Sequence, residues 1–97
     1  MNCVHTPWGM ADSIKTYSNG VILYGTPSHG GFYVPENLLD EMEPQFQNEG
    51  GWYEEDCEYC KVILAFPAMF TDQEVINAGE TYNRSFNEDG EYKWSKN

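Results

Sequence analysis

An Asn-Gly pair between two β-rich runs restricts the fold of this chain more than any other feature of the sequence. The runs are Ser13–Tyr17 and Val21–Gly25, and Ser18-Asn19-Gly20 lies between them. Asn-Gly between two β-rich runs is the strongest short-range signal for a hairpin. The spacing predicts an antiparallel hairpin, and Phe32–Val34 is placed to return as the third strand of a meander.

Two helices are predicted in the middle of the chain. Pro35 suits the first turn of a short helix over Glu36–Met42. Apolar residues at helical spacing predict a second helix over Trp52–Phe66, which we expect to be the most buried. Its inner face carries Tyr53, Cys57, Cys60 and Leu64. Its first turn carries Glu54, Glu55 and Asp56, where the helix dipole favours acids.

A third helix and a tail complete the predicted fold. Thr71-Asp72-Gln73-Glu74 has the sequence of a capping box, flanked by Phe70 and Val75 as a hydrophobic staple. The helix is predicted to run to about Ser85 and to bury Val75, Ile76 and Tyr82. Residues 87–97 follow as an edge strand or a frayed tail. The chain therefore reads as one domain over residues 1–97, with an α+β fold in which a small antiparallel sheet packs against two or three helices.

Acidic residues are concentrated in one part of the chain. The sequence has 16 acids against 5 bases, a net charge of −11. Nine acids and no base fall within Glu36–Glu58, and no Lys or Arg occurs between Lys15 and Lys61. This balance argues against direct binding of DNA or RNA, because phosphate contacts need clustered basic residues. A stretch that carries only negative charges repels itself, and solubility alone does not require such a stretch. The clustering therefore favours a basic binding partner.

The remaining composition indicates a folded protein of the cytoplasm. Aromatic residues make up 15% of the chain, too many for a disordered segment. The longest apolar run, Val62–Phe70, contains Pro67 and is too short to span a membrane. The first residues, Met1–Trp8, lack the charged and apolar regions of a signal peptide. Of the tryptophans, Trp8 and Trp52 are predicted to pack in the core and Trp94 to be partly exposed.

Cys57-Glu58-Tyr59-Cys60 is a C-x-x-C motif with three interpretations. Together with Cys3 and His5 it has the four ligands of a zinc site, and alone it has the spacing of a redox pair. The motif falls inside the predicted helix, and the acids beside it raise the pKa of a thiol. We therefore expect reduced core cysteines, with no zinc, no disulfide and no cofactor.

His29 lies in a glycine-containing loop, Ser28-His29-Gly30-Gly31, of a kind that often carries function. It can form a Cys–His pair with Cys57, or an acid–base or metal site with the carboxylates Glu54, Glu55 and Asp56. The alternative is a tight loop without chemistry, in which glycine supplies the backbone freedom. A separation above about 10 Å between His29 and the acidic segment excludes a shared site.

Three separated motifs carry a resemblance to a known family. They are His5-Thr6-Pro7-Trp8-Gly9, Ser28-His29-Gly30-Gly31-Phe32 and Gly51-Trp52-Tyr53-Glu54-Glu55-Asp56-Cys57. In this order they resemble a family of uncharacterised domains from phages, plasmids and other bacterial mobile elements, over roughly residues 5–70. The resemblance implies a mobile-element protein in a bacterial cytoplasm and implies no catalytic residues. In size and charge the chain is similar to the phage inhibitors called anti-CRISPR proteins.

These observations predict an inhibitor rather than an enzyme. We expect a small acidic anti-defence protein that binds a basic nucleic-acid-handling host protein or a CRISPR-Cas complex, with nucleic-acid mimicry as one mode. Carboxylates at helical spacing form its expected partner-binding surface: Glu36, Asp40, Glu43, Glu54, Glu55 and Glu58. No metal ligand, cofactor or catalytic residue is assigned. Two alternatives stay open: a small enzyme or metal-dependent module built on His29 with Glu54, Glu55, Asp56 or Cys57, and a protein-interaction module without mimicry.

Overall fold

The computed structural model describes residues 4–93 and shows the predicted α+β fold. Its strands are β1 His5–Thr6, β2 Gly9–Met10, β3 Ser13–Thr16, β4 Ile22–Gly25, β5 Gly30–Tyr33 and β6 Trp52–Glu54. Its helices are α1 Glu36–Leu39, α2 Tyr59–Ala65 and α3 Asp72–Ser85. Short 3-10 turns occur at Pro44–Phe46, Glu49–Gly51 and Pro67–Met69. Cys3 and Trp94 lie outside the described residues.

The main sheet has four antiparallel strands in the order β3-β4-β5-β6. The predicted hairpin is confirmed: β3 pairs with β4 from Ser13 opposite Gly25 to Thr16 opposite Ile22. Gly20 has a φ of 103°, which explains the glycine, and Asn19 Oδ1 accepts a hydrogen bond from the Val21 amide at 3.1 Å. The predicted third strand is confirmed as β5. A separate two-stranded ribbon, β1-β2, precedes the sheet.

The predicted helix over Trp52–Phe66 is wrong in its first half. Trp52–Glu54 form β6, which pairs with β5, and α2 begins only at Tyr59. The chain enters β6 through Gly50 and Gly51, whose φ values of 82° and 81° place them in the left-handed region. Trp and Tyr favour the pleated surface of a sheet, and pairing with β5 decides between the two structures. The second half of the prediction holds, since α2 buries Cys60, Lys61, Val62 and Ile63.

The other two helices differ less from prediction. α1 ends at Leu39 rather than Met42, although Met42 still reaches the core. α3 matches its predicted bounds, and its capping box is formed: Thr71 Oγ1 accepts from the Glu74 amide at 3.1 Å, and Glu74 Oε1 accepts from the Thr71 amide at 2.9 Å. Ile76 is 55% exposed and not buried, because the inner stripe of α3 runs through Ala78 instead.

Both faces of the main sheet are covered over β4, β5 and β6, while the four side chains of β3 are exposed. On one face, Phe32 and Tyr53 pack with Val62 of α2 in the larger buried cluster, and a second cluster joins α2 to α3. On the other face, Trp52 contacts three rings, with centroid distances of 4.7 Å to Tyr33, 5.6 Å to Trp8 and 5.8 Å to Tyr24. Trp8 and Trp52 are thus half-buried in this aromatic layer rather than in the helix-facing clusters.

The segment after α3 folds back on the protein. Phe86 and Tyr92 form an isolated antiparallel bridge. Within the described residues, no more of the predicted edge strand is formed. Lys61 Nζ donates to the Gly90 carbonyl at 2.9 Å and to Asn48 Oδ1 at 3.2 Å, so α2 ties this segment to the loop before β6. Within residues 4–93, no helix is long and apolar enough to cross a membrane.

Candidate functional site

Strand pairing brings the histidine loop and the acidic segment together. His29 directly precedes β5, and Glu54 ends β6 opposite Gly31. The Glu55 amide donates to the Gly30 carbonyl at 2.9 Å, which fixes the two chain segments side by side. His29 Nδ1 lies 3.3 Å from Glu54 Oε2, with the two side chains 57% and 31% exposed. The distance criterion for a shared site is therefore met, at the surface of the protein.

The loop that presents His29 is held by its own backbone and by one side chain. The Thr26 amide donates to the His29 carbonyl at 2.7 Å. Thr26 Oγ1 accepts from the His29 amide at 3.1 Å and donates to the His29 carbonyl at 2.5 Å. The backbone of His29 is thus fixed, as the tight-loop interpretation expects, while its imidazole faces Glu54 and solvent.

Residues 54–58, which we call the acidic turn, connect β6 to α2. Glu58 Oε1 accepts a hydrogen bond from the Glu54 amide at 3.1 Å, and Asp56 Oδ1 accepts from the Cys57 amide at 2.6 Å. These two carboxylates stabilise the turn, and Glu55 is exposed without a described hydrogen bond to its side chain. Glu54, Glu55 and Glu58 are therefore brought together by a turn and not by a helix face, which corrects the predicted spacing.

A shallow pocket of about 350 Å³ lies between the acidic turn and the segment after α3. We call it the acidic pocket; its lining residues are Glu54, Asp56, Cys57, Glu58, Phe86 and Tyr92. Carboxylates accept hydrogen bonds from guanidinium and ammonium groups, and aromatic rings attract the same cations through their π faces. The chemistry of this lining is thus suited to a basic side chain.

The remaining predicted partner-binding residues lie elsewhere. Glu36 begins α1, and Asp40 and Glu43 follow its end; all three are exposed. α1 follows one end of β5 and the acidic turn lies beside the other end, so the length of the strand, about 13 Å for four residues, separates the two groups. The structure therefore divides the six predicted residues into two patches of three.

Both cysteines of the C-x-x-C motif have protonated thiols at neutral pH. Cys57 lies in the acidic turn and Cys60 in α2, so the motif spans a helix start and is not contained in a helix as predicted. Burial, aided by Asp56 and Glu58, raises the pKa of Cys57 to about 11. Burial raises the pKa of Cys60 to about 12. A thiol in this state is a poor nucleophile and a poor metal ligand.

The structure does not assemble a metal site from the residues it describes. Across residues 4–93, no group of three or more His, Cys, Asp or Glu side chains is arranged to hold a metal ion. The four-ligand zinc hypothesis includes Cys3, which lies outside that range, so the expected absence of zinc stays a prediction.

The sequence does not predict that Phe86 and Tyr92 line the acidic pocket. A usable signal was present, because Asp89-Gly90 lies between them and Asp-Gly is a hairpin signal when it joins two apolar positions. The turn is observed: the Asn87 amide donates to the Glu91 carbonyl at 2.8 Å.

Comparison with known proteins places the chain in a family. Residues 1–95 match the family described as Domain of unknown function (DUF7007), and the chain belongs to it. No curated protein and no solved structure matches the chain. The description of the family assigns it no activity.

Proposed function

We propose that this protein is a small acidic inhibitor that binds a basic, nucleic-acid-handling protein through its acidic pocket. The observation that carries the proposal is the lining of that pocket, in which three carboxylates and two aromatic rings surround a volume of about 350 Å³. This volume accommodates an arginine or lysine side chain. No basic residue is among the lining residues, and two basic residues of the protein border it: Lys61 Nζ lies 4.4 Å from the centroid of the Phe86 ring, and His29 Nδ1 lies 3.3 Å from Glu54 Oε2.

The chemistry of the pocket favours arginine. A guanidinium group is planar, donates two parallel hydrogen bonds to a carboxylate, and stacks on aromatic rings. Phe86 and Tyr92 already pack edge to face, with centroids 5.8 Å apart, and Tyr92 is 44% exposed. Arginines that hold a nucleic-acid backbone would be occupied by this protein instead. The net charge of −11 accelerates the encounter with such a surface.

Two modes of inhibition use the acidic residues differently. In nucleic-acid mimicry, the α1 patch (Glu36, Asp40 and Glu43) and the acidic turn contact one basic channel together, as successive phosphates do. In a local block, the acidic pocket alone captures a basic side chain. The proposal includes a bacterial host, an origin in a mobile element, and an anti-CRISPR-like or other anti-defence role. The resemblance of the three motifs to the mobile-element family supports it.

Two matched triple variants test the proposal and separate its two modes. The partner is first captured from bacterial lysate at low salt and identified, with elution at high salt as the criterion for a charge-dependent complex. The turn variant, Glu54→Gln/Asp56→Asn/Glu58→Gln, removes three charges and keeps an oxygen acceptor for each backbone amide that the turn uses. The α1 variant, Glu36→Gln/Asp40→Asn/Glu43→Gln, removes the same number of charges from the other patch.

We expect the turn variant to bind the partner at least about tenfold more weakly, mainly through slower association, and with a flatter salt dependence. Titration calorimetry and stopped-flow binding measure both quantities. A similar loss in the α1 variant indicates mimicry over both patches, and a loss confined to the turn variant indicates a local block. If both variants bind and inhibit at full strength, the charge-based proposal is wrong.

The contact between His29 and Glu54 favours a second candidate, a small enzyme. A carboxylate at Nδ1 orients the imidazole, the arrangement in which Nε2 can act as a general base. Burial, with Asp56 and Glu58 nearby, raises the pKa of Cys57 to about 11, which disfavours a resting thiolate as the nucleophile.

His29→Gln distinguishes the two candidates. We expect this variant to inhibit like the wild type, because His29 is not among the residues that line the acidic pocket. Inhibition is measured alongside partner affinity on the same preparations. If His29→Gln abolishes the activity while its affinity for the partner is unchanged, the enzyme candidate replaces the inhibitor.

A further inference from the structure

The helices cover part of one face of the main sheet. α2 packs against β5 and β6, whereas the four side chains of β3 are exposed. A cleft of about 340 Å³ lies at this boundary, with Leu23 of β4 on the sheet side and Ile63 of α2 on the helix side. We call it the aromatic cleft, after the four rings that line it: Tyr17, Phe32, Tyr59 and Phe70. Sites for small molecules begin at about 300 Å³, so the cleft is large enough for one.

Three of these rings form a cluster that the fold holds in place. The ring centroids are 5.3 Å apart for Tyr17 and Phe70, 5.8 Å for Phe32 and Phe70, and 6.0 Å for Tyr17 and Phe32. Phe32 is 5% exposed and belongs to the larger buried cluster, while Tyr17, Tyr59 and Phe70 are half-buried. The half-buried rings keep part of their surface open to the cleft. A wall of this kind packs against an apolar or aromatic group.

The ionisable groups that line the aromatic cleft are acidic. Glu55, Glu74 and Asn77 line it, together with no Lys, Arg or His among the described residues. A Cβ at Gly30 would lie 3.6 Å from Glu55 Oε1, so the Glu55 carboxylate lies over β5. Glu74 Oε1 accepts from the Thr71 amide at 2.9 Å, so the cap of α3 orients the second carboxylate. Carboxylates and aromatic rings in one cleft both attract a cation.

One base of the protein borders the aromatic cleft without lining it. Lys15 Nζ lies 4.8 Å from the centroid of the Tyr17 ring. Two carboxylates against this one ammonium leave an excess of negative charge at the cleft. The contact also places a cation at one of the four rings, and a ligand can make the same interaction with the ring of Tyr59 or Phe70.

We infer that the aromatic cleft is a binding site for a small organic cation, an amine that carries one aromatic or branched apolar group. The apolar group packs among the rings, and the ammonium binds the carboxylate of Glu55 or Glu74. An anionic molecule is repelled by the same carboxylates. The inference is independent of the proposed function, because the aromatic cleft shares no lining residue with the acidic pocket.

Three probe molecules of similar shape test the preference for a cation. Phenylethylamine, phenylethanol and phenylpropionate are titrated into the full chain at neutral pH and followed by amide NMR spectra. We expect the amine to shift the resonances of Leu23, Ile63 and Asn77, to bind at least about tenfold more tightly than the alcohol, and to weaken as salt rises. The anion is expected not to bind. The resonances of Phe86 and Tyr92 report separately on any binding in the acidic pocket.

A charge variant tests the two carboxylates. Glu55→Gln/Glu74→Gln removes both charges, and a glutamine at position 74 also forms a capping box. We expect the affinity for the amine to fall to that for the alcohol, and the affinity for the alcohol to stay unchanged. Glu80→Gln/Glu88→Gln is the matched control, because both residues are exposed and neither lines the aromatic cleft. It is expected to bind the amine like the wild type.

A pair of variants at Tyr59 tests the rings. Tyr59→Phe keeps the ring and is expected to bind the amine like the wild type. Tyr59→Leu keeps an apolar side chain without a ring, and we expect it to bind the amine at least about fivefold more weakly. The amide spectrum of each variant without ligand shows whether its fold is retained.

Three results overturn the inference: equal affinities for amine and alcohol, an unchanged affinity for the amine in Glu55→Gln/Glu74→Gln, or amine shifts confined to Phe86 and Tyr92. The basic partner of the proposed function gives a fourth. If that partner protects the amides around the aromatic cleft from hydrogen exchange and the amine binds nowhere, the cleft belongs to a protein interface and the inference of a small-molecule site is wrong.

Discussion

Above pH 9, the free energy of unfolding of this protein is expected to fall steeply, by about 4 kcal/mol at pH 11. Two fully buried groups are responsible. Burial raises the pKa of Cys60 from 9.0 to about 12. Burial also raises the pKa of Tyr53 from 10.0 to about 12, against the opposing effect of the hydrogen bond from the Asn48 amide. Folded protein therefore keeps two protons that the unfolded chain releases.

The sign follows from the number of protons bound in each state. Below pH 9 both states hold these protons, and the two groups leave stability unchanged. Between pH 9 and 12 the unfolded state binds fewer protons than the folded state, so stability is lost as pH rises. Each unit of pKa difference is worth about 1.4 kcal/mol. Lys61 acts in the opposite direction, since burial lowers its pKa, and it offsets part of the loss.

Urea unfolding under reducing conditions, at intervals from pH 8 to 11, measures this dependence. Cys60→Ala is expected to be less stable at pH 8, because it leaves a cavity in the core, but to lose about 3 kcal/mol less than the wild type by pH 11. Cys57→Ser is the control, and its smaller effect on the slope reflects the partial exposure of Cys57. A wild-type midpoint that is constant from pH 8 to 11 contradicts the assignment of Cys60 and Tyr53 as buried protonated groups.

Local signals predicted the elements whose turns and caps are encoded within a few residues. The hairpin at Asn19-Gly20 is present, and the capping box of Thr71 and Glu74 is present with both of its hydrogen bonds. In each case the residues that decide the structure are neighbours in sequence, and the side-chain chemistry is specific to the turn or cap. The meander and the bounds of α3 follow from them.

The strand β6 was missed because its decisive contacts are distant in sequence. Tyr53, Cys57 and Cys60 have helical spacing, and the same residues satisfy a strand followed by a helix. The choice depends on pairing with β5, through the Val34 amide donating to the Gly51 carbonyl at 2.8 Å and the Glu55 amide donating to the Gly30 carbonyl at 2.9 Å. Sequence periodicity contains no information about either partner.

The candidate site was predicted in its parts but not in its arrangement. The sequence identifies His29 and the acids of the turn as candidates. A separation below about 10 Å is the criterion for a shared site. The sequence did not predict that Glu58 would accept from the Glu54 amide, or that Phe86 and Tyr92 would complete a pocket about thirty residues further along the chain. The hydrogen bond from Glu54 to Glu58 forms because residues 54–58 are a turn and not the predicted helix. The pocket depends on the tertiary packing of the segment after α3.

Gly31→Ala is expected to cost about 3 kcal/mol of stability or more, because the position between β5, β6 and the aromatic layer has no room for a methyl group. A Cβ at Gly31 would overlap the Tyr53 carbonyl oxygen and come within 2.5 Å of the Trp8 ring. The carbonyl belongs to the paired strand and moves only if β6 moves. Displacement of β6 also moves Glu54 away from His29, so the variant is expected to lose the ordered acidic turn as well as stability.

Gly79→Ala is the matched control, because a Cβ at Gly79 meets nothing within 4 Å and Gly79 lies inside α3. Alanine is the better helix former there, and we expect a gain of about 0.5–1 kcal/mol. Urea denaturation followed by tryptophan fluorescence compares the two variants on one scale. Because the ring of Trp8 can be removed and the Tyr53 carbonyl cannot, Trp8→Ala combined with Gly31→Ala should show a smaller cost for the glycine substitution than the wild-type background does, without eliminating it. Equal stability of Gly31→Ala and the wild type would mean that β5 and β6 are farther apart than the structure has them, and the contact between His29 and Glu54 would then lose its support.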